Sequence, residues 1–221
     1  MSKMMIEAKH NYWARTIFDL YINRLLKKHF SHFYLLNNVS ENISGRSLII
    51  TPNHISWWDG FFIDYLNKKI LKRKIHLLML EEQLSKYRFF IKVGAYSVKQ
   101  NNAANIASAV KYTSKIVSDT RNMAVIYPQG EIEPYDRRPL SIKKGIKLFV
   151  RQNENILILP VGFKILFHDE KKPDIYARFG KVVKAENLLN SFEIFIQEFH
   201  TNLEQINSQS PDRTAEDLFS S

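Results

Sequence analysis

His54 and Asp59 are separated by four residues in the stretch Thr51-Pro52-Asn53-His54-Ile55-Ser56-Trp57-Trp58-Asp59. An imidazole steadied by a carboxylate is the usual make-up of a general base. The acid accepts a hydrogen bond from one ring nitrogen and fixes the tautomer, which leaves the other nitrogen free to take a proton. The same spacing also occurs in an ordinary helix cap, where the histidine bonds nothing but backbone.

The flanking segments decide whether such a pair is held in place. The apolar run Ser47–Thr51 ahead of it reads as a short buried strand. The run Asp59–Lys69 behind it reads as a helix with Phe62, Ile63 and Leu66 on one face. Ser56 is the expected N-cap, which puts Asp59 in the first turn, where a carboxylate suits the positive end of the helix dipole. The same helix end disfavours an imidazolium and so favours a neutral His54.

The chain has 221 residues, enough for one α/β domain with a substantial core. It contains no cysteine, which excludes disulfides, zinc–thiolate sites and a cysteine nucleophile. The formal net charge of +10 asks for an acidic partner: an anionic membrane surface, a nucleic acid or a phosphate-bearing substrate. No apolar run reaches the ~18 residues of a spanning helix, and the first residues lack a signal-peptide core. Membrane contact is therefore expected to be peripheral, on the cytoplasmic face. The histidines His10, His29, His32, His76, His168 and His200 read as structural or surface residues. No histidine pair has metal-ligand spacing near a carboxylate set.

Periodicity predicts a helix over 10–36, with Trp13, Ile17, Leu20, Tyr21 and Leu25 on one stripe. That stripe either packs on the domain or, being aromatic and flanked by basic residues, lies at a bilayer interface. Further strands are expected at 75–80, 94–98, 123–127, 156–163, 175–179 and 181–183. Helices are expected at 81–91, 103–119, 139–151 and 191–206, the last with Phe192, Phe195, Ile196 and Phe199 inward. The resulting organisation is an N-terminal helical segment (1–46), an α/β domain (47–207) and a loose polar tail (208–221).

Four segments together resemble the glycerolipid (lysophosphatidate) acyltransferase superfamily. Asn53, His54, Ser56 and Asp59 match its first motif, Asn-His-x-Ser-x-x-Asp. Gly94, Tyr96 and Val98 fit the second, but Gln100 stands where its phosphate-holding Arg is expected, with Lys99 beside it as a looser point charge. Tyr127, Pro128 and Gly130 fit the frame of the third, with Gln129 in place of Glu, and Glu131 and Ile132 in place of Thr-Arg. Leu159-Pro160-Val161 resembles the fourth. The four occur in the family's order.

The resemblance implies a mixed, largely parallel sheet flanked by helices, with an amphipathic N-terminal helix. It implies transfer of a fatty acyl group from acyl-coenzyme A or acyl carrier protein to a lipid hydroxyl, with His54 as base and Asp59 as its partner. A lysophospholipid such as lysophosphatidate is the acceptor it suggests. Substrate contacts would come from Asn53, Ser56, Gly94, Lys99, Gln129, Gly130, Glu131 and Pro160, with Arg137 and Arg138 as further anion-binding candidates. Neither a metal nor a redox cofactor is called for, and no nucleic-acid partner is expected. The altered second and third motifs keep open a non-phosphate acceptor, such as a glycolipid or a carotenoid glycoside. Two other readings also stay open: a hydrolase using the same pair with water, and a non-catalytic basic protein binding membrane or nucleic acid.

Overall fold

The computed structural model describes residues 5–151, 153 and 155–220. In chain order its elements are α1 (Tyr12–His29), β1 (Phe33–Leu35), β2 (Leu48–Pro52), α2 (Asp59–Leu66), β3 (Lys74–Leu80), α3 (Glu81–Lys86), β4 (Ala95–Val98) and α4 (Ala103–Ser118). They continue with β5 (Asn122–Val125), α5 (Ile146–Val150), β6 (Leu157–Leu166), β7 (Asp174–Phe179), β8 (Val183–Lys184), α6 (Ala185–Asn190), α7 (Phe192–Gln209) and β9 (Glu216–Asp217).

The strands form one sheet in the order β4-β3-β5-β2-β6-β7-β1-β9, with β8 paired to β6. From β4 to β6 every pairing is parallel; β7 then runs antiparallel to β6. This is the mixed, largely parallel sheet that the sequence implied. β2 is buried along its whole length, and apolar but for Thr51, because both faces of the sheet are covered, as a central parallel strand requires. One core, around Phe62, Phe33 and Phe163, packs against α1 and α2. The other, around Phe195, Phe199 and Ile158, packs against α4 to α7.

Several expectations are corrected. The first helix ends at His29 rather than at 36, because Phe30 turns extended and the chain enters β1. β1 lies between β7 and β9, so residues before 47 build part of the sheet. The stripe Trp13, Ile17, Leu20 and Tyr21 is the solvent-facing one, with Trp13 72% exposed. A second apolar row, Ala14, Phe18, Ile22 and Leu26, supplies the core contact. Of the basic block 139–151, Ile146–Val150 is helical, while Lys143 and Lys144 precede the helix.

Pro160 sits neither at a bulge nor on an outer edge but in mid-sheet, opposite Thr51. Leu157 donates to Ser47 O, so odd-numbered residues of β6 bond towards β2 and the missing Pro160 donor faces the other way. It falls in the seam where pairing to β8 ends at Ile158 and pairing to β7 begins at Val161, a local edge inside the sheet.

The C-terminal segment is docked, not loose. Glu216 and Asp217 pair with Leu35 and Tyr34, Leu218 N–H donates to Phe33 O, and Tyr65 Oη donates to Leu218 O. Leu218 is fully buried among the rings of the first core. Leu218→Ala is expected to cost about 2–5 kcal/mol, as for other large-to-small core substitutions, read by urea denaturation. An unchanged midpoint would show that the segment adds nothing to stability.

Candidate active site

Two distant segments meet because β2 and β5 are neighbours. Ile49 pairs with Ala124 and Ile50 with Val125, and Ile126 N–H donates to Ile50 O. The carboxyl ends of both strands therefore open side by side. One releases the His54 turn and the other the Tyr127-Pro128-Gln129-Gly130 turn. Ligands of open α/β sheets commonly bind at such strand ends.

Within the first turn, His54 Nδ1 lies 2.9 Å from Asp59 Oδ2. A carboxylate only accepts, so Nδ1 carries a proton and Nε2 is the ring nitrogen left without Asp59 as a partner. Asp59 is fully buried and held by further donors: Ile55 N–H at 2.7 Å, Ser56 N–H at 2.8 Å and Ser56 Oγ at 2.7 Å. Ser56 thus braces the carboxylate. It does not cap α2, whose N-cap is Trp58, although its Oγ also accepts from Trp58 N–H. The imidazole stacks on the Tyr127 ring, centroids 4.2 Å apart and planes 25° from parallel. Burial, with the Asp59 carboxylate adding to it, pushes the Tyr127 phenol well above its usual range, so it stays protonated.

The backbone of His54 is clamped as well. Its N–H donates to Gln129 Oε1 at 2.6 Å, and its carbonyl accepts from Gln129 Nε2 at 3.2 Å and from Glu133 N–H at 2.9 Å. Gln129 Nε2 also reaches Glu133 Oε2 at 3.0 Å. Fully buried Gln129 therefore acts as a stand-in peptide group across 75 positions of sequence. Asn53 does the same on the other side, bonding both the N–H and the carbonyl of Phe163 and lengthening the β2–β6 ladder. Gln129 and Asn53, expected to touch substrate, spend their amides on the scaffold.

His54 opens onto a mainly apolar groove of about 840 Å³, within the range typical of small-molecule sites. Phe61, Ile75 and Val93 from one core, and Ile126, Ile146 and Phe149 from the other, form its walls. It thus crosses the end of short β5 from one face of the sheet to the other. Asp64 lies in the wall and is ion-paired with Arg15 of α1, 2.7 Å from Arg15 Nη1. Burial raises the pKa of Asp64, and Arg15 opposes that rise.

Of the other expected substrate contacts, Gly130 and Glu131 line the groove, and so does Gln100. Gly94, Lys99, Arg137, Arg138 and Pro160 are not among the lining residues described. Gly94 is required by packing: at φ +115° a Cβ would come within 2.2 Å of Ile75 O. Lys99 N–H caps onto Asn105 Oδ1. Arg137 lies 3.4 Å from the buried Glu133 carboxylate, and Arg138 lies over the Tyr135 ring at 4.6 Å. Sequence reasoning missed Tyr127 as the stacking partner and the groove walls altogether. The aromatic residue of the third motif was the available signal for the first; nothing in periodicity marks the second.

The sequence profile of the Acyltransferase family matches residues 33–164, more than half of the chain. No curated protein matches the chain in sequence. Among solved structures, the 1-acyl-sn-glycerophosphate (LPA) acyltransferase PlsC from Thermotoga maritima is similar in fold, with a TM-score of 0.58 and 16% identity. The similarity covers 89% of this chain and 82% of that one. Because the matched span runs from β1 into β6 and contains both turns that meet at His54, the chain belongs to the Acyltransferase family of the glycerolipid acyltransferase superfamily.

Proposed function

We propose that the protein moves a fatty acyl group from an acyl thioester, acyl-coenzyme A or acyl carrier protein, to the hydroxyl of a lysophospholipid, with His54 as general base. The observation that carries this reading is the pairing of His54 Nδ1 with buried Asp59 while the ring lines an apolar groove. His54 Nε2 takes the acceptor's hydroxyl proton as its oxygen attacks the thioester carbonyl. The new C–O bond forms, the C–S bond breaks, and the proton passes from the imidazolium to the departing thiolate. Asp59 holds the tautomer and stabilises the imidazolium, the division of labour found in a hydrolase triad without its serine. Ile55 and Ser56 N–H are occupied by Asp59, so an oxyanion would be held by other donors. The thioester arrives already activated, and the step needs neither a metal nor a redox cofactor.

The test is incubation of purified protein with palmitoyl-coenzyme A, with and without lysophospholipid. One free thiol is expected per new diacyl product, and little thiol without lipid. Free fatty acid at the same rate in both tubes would favour the hydrolase reading and end this one.

The protein would meet its lipid at a membrane surface on the cytoplasmic side. Tyr12, Trp13, Ile17, Leu20 and Tyr21 form an exposed face on α1, with exposed Arg24 and Lys28 on the same helix. Aromatic rings at headgroup depth and cations against anionic lipid suit that geometry. Among the described residues no helix is long and apolar enough to cross a membrane. Sedimentation with anionic vesicles is expected to carry the protein down at low salt, with Trp13→Ser and Leu20→Ser together weakening it several-fold. Equal sedimentation of the variant would remove α1 from the contact.

A further inference from the structure

Among the described residues lining the groove, the charged side chains are Asp64, Glu131 and Lys143, beside His54. Asp64 is matched by Arg15, which leaves the Glu131–Lys143 pair to face an incoming headgroup. Lys143 Nζ lies 3.2 Å from Glu131 Oε1, and both side chains are largely exposed, at 47% and 66%.

Their placement is set by the turn that also holds His54. Gly130 adopts φ +74°, and a Cβ there would meet Lys143 Cδ at 3.1 Å and Nζ at 3.2 Å, so the lysine lies directly across the glycine. Lys143 N–H donates to Pro128 O at 2.9 Å, and Gln100 Nε2 closes on Gly130 O at 3.5 Å. One anion and one cation thus stand beside the catalytic turn, with no arginine described in the lining.

We infer that the acceptor is a zwitterionic monoacyl lipid, whose ammonium is received by Glu131 and whose anionic group is received by Lys143. This rests on the acyl-transfer reading and narrows its substrate class. A zwitterion exchanges its own ion pair and the Glu131–Lys143 pair for two intermolecular pairs of the same kind, so that no charge is left unmatched. A phosphate monoester carries a charge of about −1.5 to −2, would find one cation, and would meet the Glu131 carboxylate beside it. That carboxylate is a repulsive element against such a headgroup. Arg137 and Arg138, engaged by Glu133 and Tyr135, do not offset it. An uncharged headgroup offers either residue hydrogen bonds but no ion pair. The chemical step stays the same: hydroxyl oxygen to acyl carbon, with thiol released.

The experiment compares three acceptors in mixed micelles with palmitoyl-coenzyme A: lysophosphatidylethanolamine, lysophosphatidate and monoacylglycerol. Wild-type kcat/KM is expected to be at least tenfold higher with lysophosphatidylethanolamine than with either other lipid. Glu131→Lys is expected to lower that value about tenfold and to raise lysophosphatidate use, so that the ranking inverts. Lys143→Gln is expected to lower it without helping lysophosphatidate. A wild-type preference for lysophosphatidate or monoacylglycerol, or an unchanged ranking in Glu131→Lys, overturns the zwitterion and leaves acyl transfer standing. Thioester loss with no lipid product from any acceptor overturns both.

Discussion

His54→Ala is expected to fold like the wild type and to transfer acyl groups about a hundred- to ten-thousandfold more slowly, the usual contribution of a general base. That range corresponds to about 2.7–5.5 kcal/mol of activation free energy. The fold survives because Asp59 is not orphaned by the change. Ile55 N–H, Ser56 N–H and Ser56 Oγ still satisfy its carboxylate, and the Gln129 clamp acts on the backbone of residue 54. The truncated ring contributes little core packing, because it faces the groove and stacks on one neighbour. Asp59→Asn differs in kind: its Nδ2 can donate to Ser56 Oγ while its oxygen keeps the bonds now made by Oδ2, but the charge that stabilises an imidazolium is gone, so the rate falls more than the stability. The measurement is thiol release with and without acceptor, alongside a thermal melt. A His54→Ala protein within threefold of wild-type turnover would remove the base from the mechanism.

The parts of the molecule readable in the sequence share one property: their signal is local. β2 announces itself as an apolar run because a parallel strand covered on both faces has no polar side to show. His54 and Asp59 lie within one turn, so spacing and residue type suggest the pair, and Asn53, Ser56 and the flanking strand and helix strengthen it. The rest depends on contacts that spacing does not encode. α1 carries two apolar rows, and periodicity reports both without saying which one the core takes; here Phe18 and Ile22 go in and Trp13 and Ile17 stay out. Leu218 and Phe219 are two apolar residues in a polar segment, too few for a pattern, yet a register with β1 buries them. Arg137 and Arg138 count as charge in the sequence, but a buried carboxylate and a tyrosine ring engage them away from the groove. Gln129 is the sharpest case. In the motif it read as a substrate contact standing in place of Glu, because nothing local shows a side-chain amide completing the hydrogen bonds of a residue 75 positions earlier.

Gln129→Glu, which restores the residue usual in the resembled motif, is for that reason expected to damage this protein. The wild-type amide uses both of its ends: Oε1 accepts from His54 N–H, and Nε2 donates to His54 O and Glu133 Oε2. A carboxylate keeps the first bond and loses the other two. It also sets a buried anion against the His54 carbonyl and against Glu133, which is itself 2% exposed. Breaking a buried arrangement so that a charge is left unpaired costs about 3–5 kcal/mol. The cost depends on pH with a definite sign. The new acid has a folded-state pKa above its unfolded value of about 4.3, so the unfolded chain ionises first. The deficit is therefore small below about pH 4 and grows as the pH rises past it. Adding Glu133→Gln recovers part of the loss, because an amide at 133 can donate to the new carboxylate, while His54 O still lacks its side-chain donor. Urea denaturation of the four proteins at pH 4 and pH 7 measures all of this as a double-mutant cycle. Acyl transfer should fall with stability, since the clamp sets where the imidazole stands. Equal midpoints for wild type and Gln129→Glu at pH 7 would mean that the amide is not what holds the His54 turn.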